Sequence, residues 1–101
     1  MTDMKPSTET MQEYLTSLAS DEVLARAERF FATRNPLYAT FPDMRGSDWA
    51  TFRGQGGEEI VIAAFPESGG TRVRGSSYLF PMQVMRFFTT LPEMVRPVEV
   101  A

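Results

Sequence analysis

The stretch EEIVIAAFPESGGTRVRG, residues 58–75, constrains the fold more than any other part of this chain. Two runs of strand-forming residues flank PESGG, which carries the proline and glycines of a tight reversal, so 58–65 and 71–80 read as an antiparallel hairpin. Its register follows from what each pairing would bury. Pairing Phe65 with Arg72 gathers Ile60, Ile62 and Ala64 with Val73, Gly75, Ser77 and Leu79 on one face. The other face then carries Val61, Ala63 and Phe65 with Arg72, Arg74, Ser76 and Tyr78. A slip of one residue would seat both arginines among the isoleucines, and burying unpaired charge is expensive. Gly75 inside a strand points to a bulge or to the close approach of another element.

A sheet with an apolar face needs a cover. The segment RGSSYLFPMQVMRFFTTLP (74–92) supplies one beyond Pro81, a residue suited to a first helical position; Pro92 ends the helix after Leu91. Phe80, Val84, Phe87, Phe88 and Leu91 share one stripe, Met85 flanks it, and Met82 falls among the polar residues. A second helix is expected over 21–34. Ser20 can cap it, Asp21 and Glu22 suit its positive end, and Val23, Leu24, Ala27, Phe30 and Phe31 form its apolar side. Asn35-Pro36 stops it.

Upstream, Met11, Leu15 and Leu18 have helical spacing with Tyr14 beside them, which predicts a helix over 9–19. It is either separate from the next helix or joined to it through a bend. LYATF (37–41) and DWATF (48–52) read as short strands on either side of the turn PDMRGS. The expected fold is α+β: N-terminal helices, a three- to four-stranded antiparallel meander, and a C-terminal helix packed on one sheet face. Residues 1–8 form a flexible arm, 9–92 a single domain, and 93–101 an extended tail whose VEVA can add an edge strand.

Composition narrows the chemistry. The chain has 101 residues, enough for one domain, with 43% hydrophobic and 23% charged residues, as in ordinary folded proteins. A net charge of −3 argues against a nucleic-acid partner, which needs a cationic footprint. No apolar leader and no membrane-length apolar run occur, so the expectation is a cytoplasmic protein without a membrane partner. The chain has neither cysteine nor histidine. That removes disulfides, thiolates, the commonest general base and the commonest metal ligand. No catalytic residue, metal ligand or cofactor is assigned.

Several short patterns have simpler readings. RGQGG (53–57) lacks the Lys-Ser/Thr ending of a phosphate loop, and reads as a break between strands. NPLY (35–38) already ends a helix, which accounts for it without adaptor binding. Asp43 with Asp48, and Glu58 with Glu59, sit at turns and strand ends rather than at a spacing that converges two carboxylates. Arg53, Arg72 and Arg74 can pair with Glu58, Glu59 and Glu67 to give a salt-bridged face.

The order of helix, antiparallel meander with a GGTRVRG return, and then VMRFFTTLP resembles part of the helix-grip fold, the START or polyketide-cyclase-like superfamily, over about residues 48–92. That resemblance implies a curved sheet around a C-terminal helix, with an apolar cavity between them. Two functions are therefore expected. The first is a noncatalytic interaction module, homodimeric or an accessory subunit, with Val61, Phe65, Arg72, Arg74, Tyr78 and Met82 at its interface. The alternative, implied by the resemblance, is a binder of a small apolar ligand, with Trp49, Phe52, Tyr78 and Phe88 as wall residues. A small enzyme using Asp48 or Tyr78 as acid or base is a third reading.

Overall fold

The computed structural model describes residues 10–32, 40–54, 58–77 and 80–94. In chain order these form β1 (Thr10–Thr16), α1 (Ser20–Ala32), β2 (Thr40–Arg45), β3 (Trp49–Gly54), β4 (Glu59–Glu67), β5 (Gly70–Ser77) and α2 (Pro81–Thr89). The fold is α+β. Its five strands make one antiparallel sheet in the order β1-β5-β4-β3-β2, so the first strand closes beside the last.

The β4–β5 hairpin has the register that charge burial demands. Phe65 pairs with Arg72, and Ile60, Ile62 and Ala64 share a face with Val73, Gly75 and Ser77. Alternation in β4 is clean: Ile60, Ile62 and Ala64 are fully buried, while Val61 and Ala63 are half-buried. Gly69, at φ 88°, makes the reversal in a conformation that side chains disfavour. Leu79 and Tyr78 lie outside the described residues, as do the arm 1–8, the segment NPLY, and residues 95–101 of the tail.

Three expectations are corrected. Residues 10–16 form a strand, not part of a helix over 9–19, and α1 is the sole helix among the described N-terminal residues. The helical spacing of Met11, Leu15 and Leu18 is overruled by a seven-pair ladder with β5. Within that strand Tyr14 and Thr16 turn inward, and they are good strand formers. The sheet consequently has five strands rather than three or four. Finally, PDM belongs to β2 rather than to a turn. Pro42 is tolerated because β2 is an edge strand, and the register shifts between Pro42 and Met44, leaving Asp43 as a bulge.

Both helices lie on the inner face, α1 against β2, β3 and β4 and α2 against β5 and β1. An aromatic chain runs between them across the sheet. Phe52 meets Phe31 at 5.0 Å, Phe31 meets Phe87 at 5.4 Å, Phe87 meets Phe88 at 6.2 Å, and Phe88 stacks on Tyr14 at 5.5 Å. Ser20 was expected to cap α1, but its hydroxyl lies 3.3 Å from Thr71 Oγ1, which itself donates to the Leu18 carbonyl at 2.6 Å. A second buried hydroxyl, that of Thr16, donates to the Pro92 carbonyl and accepts from the Leu18 amide. Tyr14 Oη donates to the Leu91 carbonyl at 3.1 Å, and the Met94 amide to the Leu15 carbonyl at 3.0 Å. The chain after α2 is thereby sewn to the C-terminal half of β1, where Thr16 and Glu93 form an antiparallel bridge.

Gly75 is where α2 rests on the sheet. Neither ladder of β5 is broken there, so the glycine marks close approach rather than a bulge. A Cβ at position 75 would stand 2.5 Å from Val84 Cγ1, 3.2 Å from Ile62 Cδ1 and 3.3 Å from Phe88 Cζ. Overpacking of this kind costs about 1–3 kcal/mol. Gly75→Ala is expected to lower the unfolding free energy by that amount, read as a lower urea midpoint at an unchanged denaturant slope, and an unaffected midpoint would show that α2 can lift off freely.

Candidate functional site

The outer face of the sheet, opposite both helices, is the surface on which the candidates of β3, β4 and β5 other than Phe52 lie together. The ladders place Val61, Ala63 and Phe65 of β4 there, beside Ser76, Arg74 and Arg72 of β5 and beside Thr51 and Trp49 of β3. The described part of the chain folds no helix over it. Phe65 is 37% exposed, and Met11 and Met44 at the two sheet edges are 63% and 59% exposed.

Two ionic clusters frame this apolar centre. At one end Glu13 of β1 bridges Arg74 at 2.7 Å and Arg72 at 3.1 Å, and Arg72 also reaches Glu67 at 2.5 Å. At the other, Arg53 holds the bulged Asp43 at 3.1 Å and Glu59 at 3.5 Å. The Arg74 guanidinium also sits 5.9 Å over the Phe65 ring. These are part-exposed pairs, so each fixes side-chain position more than it adds stability.

Glu13 is the acid most perturbed by this arrangement. The Arg74 hydrogen bond lowers its pKa; partial desolvation opposes this, and the fields of Arg72 and Arg74 reinforce the lowering. Arg72 is pushed further up, chiefly by its hydrogen bond to Glu67. Among the described residues of this face, three guanidinium groups are thus committed to four carboxylates.

The interface candidates Val61, Phe65, Arg72 and Arg74 are thus brought together, and Trp49 joins them. Met82 is not among them: it is 55% exposed on α2, on the other side of the molecule. The wall candidates are divided. Phe52 of β3 begins the aromatic chain and Phe88 of α2 stands next to its other end at Tyr14, both buried beneath the inner face, whereas Trp49 is on the outer face with its indole across Gly46. Tyr78, a candidate for both roles, lies outside the described residues. Sequence reasoning missed Met11, Glu13 and Asp43, because it placed the first two on a helix and the third in a turn. The signal available was TMQEYLT itself, whose threonines and tyrosine favour a strand.

Among the described residues no group of three or more acidic side chains could hold a metal ion, and no helix is long and apolar enough to cross a membrane. No protein-family model, curated protein or solved structure matches the chain. The electrostatics of the outer face can be tested directly. Arg74→Gln should raise the Glu13 pKa toward the ordinary carboxylate range in an NMR titration. Because the folded value is depressed, the stability Glu13 contributes is present above the unfolded carboxylate pKa and disappears as pH falls through the folded one. The stability gap between the parent chain and the variant should close on acidification over that window.

Proposed function

We propose that the protein is a small noncatalytic interaction module that associates with itself through the outer sheet face. The observation that supports this reading is one surface: half-buried Val61 and Ala63 beside exposed Phe65, Met11 and Met44, framed by ion pairs that close within the chain. An apolar centre with a polar rim is the usual anatomy of an association surface. The rim contains three arginines and four carboxylates, so it has little net charge to repel a second copy. Such a function needs no nucleophile and no general base, in keeping with a chain that has neither histidine nor cysteine.

A second reading, the helix-grip-like binder of a small apolar ligand, is favoured by one observation. The meander is followed by a helix that lies against the inner face, over β5 and β1. In this reading the ligand shares the interior with Phe52 and Phe88. That helix spans nine residues, about 13 Å, so it grips only part of the sheet.

Sedimentation and Val61→Glu separate the two readings. The parent chain should sediment at twice its 11.4 kDa mass at micromolar concentration. The variant, altered on the outer face alone, should sediment as a monomer with an unchanged circular dichroism spectrum. A monomeric parent chain would sink the association reading. Saturable one-to-one binding of an apolar fluorophore, equal in parent and variant, would support the ligand reading, and no binding would end it.

A further inference from the structure

One cross-strand row on the outer face runs the full width of the sheet. It reads Met44, Thr51, Val61, Ser76, Met11, taking one residue from each of β2, β3, β4, β5 and β1. The row is nearly palindromic about Val61. Long thioethers stand exposed at both ends, and small hydroxyl residues, buried to 7% and 6% exposure, flank the centre. Across four strand spacings the two methionines of one chain are about 19 Å apart. Methionine is usually an interior residue, yet none belongs to the core of the described structure.

This pattern discriminates between two-fold axes for a face-to-face pair. An axis across the strands sets the acidic end of β4 against its apolar half. Centred on Val61 it lays Glu59 on Ala63 of the second copy, and centred on Ile62 it lays Glu59 on Phe65 and Met11 on Glu13. Either arrangement strips water from a carboxylate over an apolar group. An axis along β4 exchanges the two sides of the sheet instead. Met11 then faces Met44 of the second copy, Val61 faces Val61, and the Arg74 cation comes over Trp49. Glu59 then meets Glu59 of the second copy at the polar end of the sheet, each carboxylate keeping its own Arg53 as counterion at 3.5 Å, while Val61, Ala63 and Phe65 meet their own copies. Flexible thioethers can repack against one another at each edge, beside Thr51 and Ser76, which the chain already buries.

We propose that two copies stack about a two-fold axis along β4, so that Met11 of each clasps Met44 of the other at both edges of the interface. This rests on the self-association reading above and supplies its register. The absence of cysteine makes the test clean. Met11→Cys and Met44→Cys chains are prepared separately, checked by mass for single-site labelling, mixed and left to exchange. They are then treated with a bis-maleimide that spans facing sheets, about 10 Å apart. The mixture should give a covalent dimer, whereas each variant alone should give none. Self-coupling of Met11→Cys alone would overturn the register in favour of an axis across the strands. No coupling in a mixture that sediments as a dimer would also overturn it, while leaving self-association intact. A mixture and parent chain that sediment as monomers would remove both.

Discussion

The ladder between β1 and β5 is the contact on which the rest of the structure depends. It turns a four-stranded meander into a sheet wide enough for two helices side by side, α1 over β2 to β4 and α2 over β5 and β1. It also brings Tyr14 and Thr16 under the end of α2, where their hydroxyls take up the carbonyls of Leu91 and Pro92. Carbonyls at the end of a helix have no partner within it, and here a strand from the opposite end of the chain satisfies those that follow. On the other face the same ladder delivers Glu13 to Arg72 and Arg74, so both surfaces of the sheet rely on one seam.

The inner face illustrates how an ordinary core is assembled from long-range pieces. Phe52 comes from β3, Phe31 from α1, Phe87 and Phe88 from α2, and Tyr14 from β1. Their rings meet at the offset and tilted separations that aromatic pairs favour. Gly75 completes the fit by giving α2 a place to rest. The outer face has the same strands, and the described residues fold no helix over the apolar side chains that the ladder places there.

Legibility in the sequence followed the range of the interactions. The β4–β5 hairpin and its register could be read because turn residues and charge burial act locally, between positions only a few residues apart. The α1 stripe and the start of α2 at Pro81 were equally local. Residues 10–16 were misread because their strand character comes from β5, whose partner residues lie some sixty positions downstream. That one error hid Met11 and Glu13 from the candidate surface. Asp43 was missed for a different reason: a bulge in an edge strand looks like a turn until its pairing partner is known. That Val61, Phe65, Arg72 and Arg74 share one side of the sheet was legible, since the hairpin alone fixes which side they occupy.

The Tyr14 hydroxyl and the Leu91 carbonyl are 77 residues apart in the chain. Contacts of that range carry a large loop-closure entropy and form only after local structure has restrained the ends. The hairpin and the meander can therefore assemble while β1 still waits for the edge of β5. During synthesis β1 leaves the ribosome ahead of the other described strands, yet it cannot be seated until β5 has followed it, so the inner edge of that seam stays unpaired through the whole interval.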